Sequence, residues 1–142
     1  MAGEDLQGLA RKLEQNLAAA ADDQELRLRL ADTYLRLSDA RAAGQQYREI
    51  GRLRLRRHQL HGALEALELA ARHLPGDFQV HEWLYTIHRL TENPDKIVSE
   101  GLVLADLLRR SRQLERAEEI LVRALQLPGD RPEVRRTLGE TY

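Results

Sequence analysis

The segment Glu25–Tyr34 reads ELRLRLADTY, and the segment Glu133–Tyr142 reads EVRRTLGETY, which is a near-copy of it. Halfway between them, at an offset of 54 from the first, Gln79–His88 reads QVHEWLYTIH and keeps Leu84 in register with Leu30. A long fixed period is typical of repeat proteins, in which each unit buries its apolar face against its neighbours. The period therefore predicts a repeat architecture with a shared hydrophobic core.

The stretches between the prolines have apolar residues at three- and four-residue spacing, which is typical of helices. Because proline cannot continue a helix, Pro75, Pro94, Pro128 and Pro132 indicate helix boundaries. We therefore predict an all-α protein of antiparallel helix-turn-helix repeats with about eight helices. Their predicted ranges are 4–20, 24–37, 40–57, 60–73, 78–91, 94–110, 113–126 and 132–140.

Short polar side chains stand before several predicted helices, where they can accept hydrogen bonds from the first free N–H groups. Asn93 is followed by Pro94, a residue suited to the first helical turn. The junction at His58–Gln59 has no such residue and is the least defined break. The predicted N-caps are Asp22, Asp39, Asp77, Asn93 and Asp130.

Small and large apolar residues follow a fixed order within the repeat. One copy reads Ile50-Gly51, Ala63, Leu67, Ala70 and Pro75, and the next reads Leu104-Ala105, Ala117, Leu121, Ala124 and Pro128. A small residue at a helix crossing lets two backbones approach closely. This pattern resembles the tetratricopeptide repeat (TPR) family over about residues 24–142. The resemblance implies a TPR-like α-solenoid, although three helices per period leave a compact helical stack open.

The repeat divides the chain into predicted segments. We expect an N-terminal capping helix in 1–22 and TPR-like repeats in 23–142. The repeats comprise three-helix units at 23–76 and 77–130 and a partial third unit at 131–142. The first helix matches the closing helix of a unit, because three of its leucines align with later apolar residues: Leu6, Leu9 and Leu13 with Leu60, Ala63 and Leu67.

Composition excludes several classes of protein. The net charge of -1 argues against a general nucleic-acid binder, and the absence of cysteine excludes disulfides and thiolate metal sites. No long uninterrupted apolar run and no signal-peptide pattern occurs, so we expect no membrane insertion and a cytoplasmic location. Arginine far outnumbers lysine, which is a compositional indication of a bacterial source.

The histidines do not form a convincing chemical motif. His58 and His61 are one helical turn apart, but no third ligand other than Glu65 follows closely. His81-Glu82 resembles the start of a zinc-protease motif, but Tyr85 stands where the second histidine is required. We therefore predict no catalytic, cofactor-binding or metal-binding residues, and a protein that is not an enzyme.

Arginines near two predicted helix ends are the candidate binding residues. In the first group, three- and four-residue spacing predicts that Arg54, Arg57, His58 and His61 share one helical face and form a clamp. Guanidinium groups bind carboxylates through two parallel hydrogen bonds, so such a group could hold an acidic peptide. The alternative is a solvated face neutralised by nearby glutamates. Trp83 is added because it lies outside the shared leucine stripe. The candidate partner-binding residues are Arg52, Arg54, Arg57, His58, His61, Trp83, Arg109, Arg110 and Arg112.

Gly101 stands in mid-helix at the position of Tyr47 in the preceding repeat. A glycine there either admits a neighbouring backbone or opens a shallow pocket. The large rings Tyr34, Tyr47 and Tyr85 are expected to be wedges between helices rather than ligand contacts.

The resemblance implies a non-enzymatic adaptor or scaffold that binds a peptide or helix of another protein, one that could be acidic. One alternative is a structural module that forms homo-oligomers through 131–142. Another is binding of RNA or a similar polyanion on the arginine-rich face, which the charge balance does not favour. A small enzyme is the remotest alternative.

Overall fold

The computed structural model describes residues 2–141, with side chains from Asp5 to Thr141. All the secondary structure in this range is helical, and the predicted all-α fold is confirmed. The eight helices are α1 (Ala2–Ala19), α2 (Gln24–Arg36), α3 (Ala40–Arg56), α4 (Leu60–His73), α5 (Phe78–Leu90), α6 (Pro94–Arg110), α7 (Leu114–Leu125) and α8 (Pro132–Thr141). None of these described helices is long and apolar enough to cross a membrane.

The cap predictions are confirmed at two helices and corrected at two others, and that of Asp77 stays a prediction. The side chains of Asp39 and Asn93 accept hydrogen bonds from backbone N–H groups of α3 and α6, at 3.1 and 3.3 Å. For α2 the N-cap is Asp23 rather than Asp22, because Asp23 is the residue that precedes the first helical turn. Asp130 does not cap α8; its carboxylate accepts instead from Arg135 at 2.7 Å.

Four connections between helices share one turn. In each, a non-glycine residue adopts the left-handed conformation: Ser38, His58, Glu92 and Arg112, with φ of 61°, 58°, 52° and 61°. The N–H of the following residue donates to a carbonyl five residues back, in the pairs Asp39–Tyr34, Gln59–Arg54, Asn93–His88 and Gln113–Leu108. This is the Schellman ending of a helix. Since the turns recur at an offset of 54, the backbone repeats together with the sequence.

The chain forms two compact units, Met1–Asp77 and Phe78–Tyr142, here called the N-terminal and C-terminal units. The predicted segments at 1–22, 23–76, 77–130 and 131–142 stay a prediction. The proposed match of Tyr142 to Tyr34 lies outside the described residues.

Helix α3 is central to the N-terminal unit, where it packs between α2 and α4. Gly51 makes the crossing with α4 close: a Cβ atom there would lie 2.5 Å from a methyl carbon of the fully buried Leu67. The matching residue of the other unit, Ala105, is fully buried as well. The predicted role of a small residue at this crossing therefore holds for Gly51.

Helix α1 covers α2 with a different leucine set from the one expected. Ala10, Leu13 and Leu17 are buried against Leu30, whereas Leu9 is 44% exposed. The alignment of Leu9 with the buried Ala63 is therefore wrong as a guide to packing. The buried residues recur at four- and three-residue spacing, and Leu9 lies outside that stripe.

The C-terminal unit has its core between α6, α7 and α8. Its buried residues are Val98, Ala105, Leu108, Ala117, Leu121, Ala124 and Val134. Helix α5 also packs against α6, so that α6 is central to this unit as α3 is to the N-terminal one. The repeated position of the central helix follows from the repeated sequence.

Candidate partner-binding groove

The C-terminal unit contains a groove of about 430 Å³ between the end of α5, the start of α6 and the end of α7. Its apolar lining consists of Tyr85, Pro94, Ile97, Leu127 and Pro128. Ile97 and Leu127 are both partly exposed, so their side chains are available to a ligand. An apolar groove of this size suits one or two bulky side chains of a bound segment.

Three charged residues surround the groove: Arg89, Glu92 and Arg123. The Arg89 guanidinium lies 5.8 Å from the centre of the Tyr85 ring, a cation–π arrangement that holds it at the edge of the groove. Neither arginine forms an ion pair with a carboxylate of residues 5–141. The groove thus combines apolar walls with two cations and one anion.

The two repeats differ in the position of one aromatic ring. In the N-terminal unit, Tyr47 of α3 stacks on His73 of α4, with ring centres 6.0 Å apart and planes at 19°. At an offset of 54, Tyr47 corresponds to Gly101, which has no side chain, so α6 contributes no equivalent ring. After Ala124 the second repeat is one residue shorter, so Leu127 corresponds to Leu74 at an offset of 53. Leu74 is buried, whereas Leu127 is partly exposed in the groove.

The space beside Gly101 is filled from the neighbouring helices instead. A Cβ atom on Gly101 would lie 3.3 Å from Ile120 and 3.5 Å from the Tyr85 ring. In the N-terminal unit the residues matching Ile120 and Tyr85 are alanines, Ala66 and Ala31, both buried. The two units thus place their bulk on different helices. The groups next to Gly101 are side chains, so the expected close approach of a neighbouring backbone is wrong, and a shallow pocket at this glycine stays a prediction.

The N-terminal unit has a cavity of about 440 Å³ of another character. Its walls come from α3, α4 and the following turn, and they include Arg41, His73 and Asp77. Asp77 also forms an ion pair with Arg48 at 2.6 Å. This cavity has polar and apolar walls in about equal parts and lacks a contribution from α2, whereas the groove is mainly apolar and extends to α5.

The arginines predicted as a clamp in the N-terminal unit do not share one helical face. Helix α3 ends at Arg56, and His58 adopts the left-handed conformation, so the three- and four-residue spacing is interrupted before His61. Arg54 is also engaged inside the unit: it donates to Gln24 of α2 at 3.0 Å and to the Gly62 carbonyl of α4 at 2.9 Å. The prediction of a single face is therefore wrong, although partner binding by these residues stays a prediction.

The other members of this group have the following positions. Arg52 pairs with Glu49 at 2.9 Å, and His61 lies 3.1 Å from Glu65. Arg57 and His58 are exposed. The neutralised face that sequence suggested as the alternative thus accounts for part of the group.

In the C-terminal unit, Arg109 lies 3.5 Å from Glu140, and Arg110 pairs with Asp106 at 3.1 Å. Arg112 is exposed in its left-handed turn. Trp83 is partly exposed on α5 and does not line the groove. None of these four predicted residues takes part in the groove, and their proposed role in binding stays a prediction.

A polar pair joins the first two helices of each repeat. His81 Nδ1 lies 2.9 Å from a carboxylate oxygen of Glu100, and both side chains are largely buried. At the matching positions, Arg27 donates to Gln46 at 2.8 Å. The pair is a recurring cross-helix contact, which explains the histidine that the sequence placed in an incomplete zinc motif. Among the described residues, no group of three or more His, Asp or Glu side chains is arranged to hold a metal ion.

The groove residues Arg89, Ile97, Arg123 and Leu127 were missed by sequence reasoning, which followed the densest run of arginines. The available signal was the substitution of Tyr47 by Gly101 between the repeats, together with the appearance of Tyr85 in place of Ala31. These exchanges indicate an altered cavity, but they do not say which charged residues surround it.

No protein-family model matches this chain, and no curated protein sequence matches it. Among solved structures, the fold is similar to the crystal structure of MamA, a TPR-containing protein, with a TM-score of 0.53. The match covers 97% of this chain and 87% of the MamA chain at 17% sequence identity. The similarity supports a TPR-like helical-repeat fold, as the sequence resemblance implied.

Proposed function

We propose that the protein is a non-enzymatic adaptor that binds a segment of another protein in the groove of its C-terminal unit. The observation that carries the proposal is the apolar groove between α5, α6 and α7, with Ile97 and Leu127 partly exposed inside it. Binding energy at protein interfaces concentrates where an apolar side chain enters such a pocket. The fold, shared with a TPR-containing protein, is consistent with this role.

The lining of the groove favours recognition over catalysis. Its charged members Arg89 and Arg123 carry guanidinium groups, which remain protonated and do not exchange protons with a substrate near neutral pH. The remaining side chains contribute hydrophobic surface and one carboxylate, Glu92. Such a set can hold and orient a chain segment, which is the chemistry an adaptor requires.

The test uses one substitution inside the groove and a matched one outside it. Ile97→Arg places a charge on the apolar wall, whereas Val103→Arg alters an exposed residue of the same helix that does not line the groove. Each variant is used as bait beside the unaltered protein, and captured proteins are quantified by mass spectrometry. We expect a partner that is retained by Val103→Arg and lost by Ile97→Arg; equal capture by both variants would refute binding in the groove.

Self-association through 131–142 is a second candidate, favoured by one observation on α8. Gly139 has open space around its Cα, although the matching residues Ala31 and Tyr85 of α2 and α5 are buried. A second copy of the chain could cover that surface. Gly139→Arg should then convert a dimer to a monomer in light scattering. If the unaltered protein is a monomer at every concentration measured, this candidate is eliminated.

A further inference from the structure

We infer that the segment bound by the groove carries a bulky apolar side chain next to a carboxylate. This inference rests on the proposed function and concerns the chemistry of the same site. The apolar side chain would lie on Ile97 and Leu127, and the carboxylate would pair with Arg123.

Charged residues surround the groove in the one repeat where it is open. The groove is bordered by Arg89, Glu92 and Arg123. At an offset of 54, the matching residues of the N-terminal unit are uncharged: Leu35, Ser38 and Leu69. The charges therefore occur only in the repeat whose groove is open, and they are not required by the packing of the repeat.

The two arginines of the groove differ in how available they are to a ligand. Arg89 is held over the Tyr85 ring, which restricts its guanidinium to the edge of the groove. Arg123 is exposed on α7 and has neither a carboxylate partner nor a ring contact within the described residues. An unpaired guanidinium beside an apolar wall is suited to a carboxylate that arrives with an apolar side chain.

The charged residues around the groove affect which segments it can bind. The lining of the groove has two arginines and one glutamate, which favours an acidic segment over a basic one; Arg123 also borders a neighbouring cavity lined by Glu115, Glu118 and Glu119, which weakens this preference. The expected contribution is modest, because Arg123 is solvated: an exposed pair of this kind changes affinity by roughly two- to fivefold. The apolar contact therefore supplies most of the affinity, and the carboxylate supplies selectivity.

The experiment is a selection of random hexapeptides displayed on phage against the full chain. Parallel baits are Arg123→Gln, Ile97→Arg and Ile97→Gln, with Val103→Arg as the control; thermal unfolding confirms that each variant is folded. We expect the unaltered chain and Val103→Arg to enrich Asp or Glu beside Leu, Ile, Phe or Met. Arg123→Gln should keep the apolar preference and lose the acidic one, and both Ile97 variants should lose the pool.

A synthetic peptide from the enriched pool provides the quantitative test. Replacing its acidic residue by the matching amide should weaken binding about two- to fivefold to the unaltered chain, and not at all to Arg123→Gln. If the amide replacement has the same effect on Arg123→Gln, the assignment of the carboxylate to Arg123 is refuted.

The outcomes separate this inference from the proposed function. A pool that depends on Ile97 but contains no acidic preference overturns the inference and leaves the adaptor function in place. Absence of any pool, or a pool that both Ile97 variants bind as well as the unaltered chain, overturns binding in the groove and the inference with it.

Discussion

Arg54 is expected to stabilise the N-terminal unit from within, and its replacement is the sharpest test of the packing described above. Its guanidinium joins three helices, because Arg54 belongs to α3, Gln24 to α2 and Gly62 to α4. Arg54→Met keeps the aliphatic stem and removes both hydrogen bonds. The Gly62 carbonyl then also loses a donor from a side chain.

The magnitude follows from these two bonds. A hydrogen bond to a charged group contributes roughly 1.5–3 kcal/mol when buried, and partial exposure of Arg54 reduces this to about 1 kcal/mol per bond. Arg54→Met should therefore lower the free energy of unfolding by about 2 kcal/mol. The matched change Arg57→Met alters an exposed residue and should have an effect within about 0.5 kcal/mol.

The assay is urea unfolding followed by far-ultraviolet circular dichroism, with both variants compared at the same pH and salt concentration. Equal midpoints for Arg54→Met and Arg57→Met would show that the cross-helix bonds contribute no stability, and the reasoning would fail. The result also decides how the arginine-rich group is tested for partner or RNA binding. Arg57→Glu is the informative variant, because reversal of Arg54 combines loss of charge with loss of packing.

Three further predictions concern the turns and one partly buried ring. His58→Gly should raise the free energy of unfolding by about 0.5–1 kcal/mol in urea unfolding, because glycine adopts φ near 58° without strain; no gain would contradict the left-handed turn. Gln113→Asp should raise the free energy of unfolding by about 0.5–2 kcal/mol, with Gln113→Ala as the control. Gln113 makes no side-chain cap bond, whereas Asn93, which follows the same kind of left-handed turn, does. Burial raises the pKa of Tyr34, and its hydrogen bond to Glu14 raises that pKa further. The folded state therefore keeps the Tyr34 proton, whereas the unfolded state loses it above about pH 10. The free energy of unfolding should then fall as pH rises beyond that value. Tyr34→Phe should make this fall shallower, and an unchanged slope would contradict the prediction.

Much of the fold could be predicted because it depends on local chemistry. Proline positions and three- to four-residue periodicity placed the eight helices within about two residues of the observed bounds over most of the chain. Asp39 and Asn93 were recognisable as caps for the same reason. The choice between Asp22 and Asp23 was not recognisable, because both residue types cap equally well and only the backbone conformation separates them.

The candidate site depended on contacts that the sequence order does not express. The run around Arg54 looked like a binding face because arginines were dense there, yet its neighbours across α2 and α4 had already engaged that side chain. Arg89 and Arg123 are far apart in the chain, and no sequence pattern connects them. The packing of α5 and α7 against α6 brings both to one groove.

The sequence by itself determined that this chain is a helical repeat with a single long period, because periodicity, caps and turn residues act over a few neighbouring positions. Only the tertiary structure places the groove that is proposed to bind a partner. The first repeat has a tyrosine on α3, and the second repeat has one on α5 instead. Whether such an exchange fills a space or leaves a groove depends on the distance between packed helices.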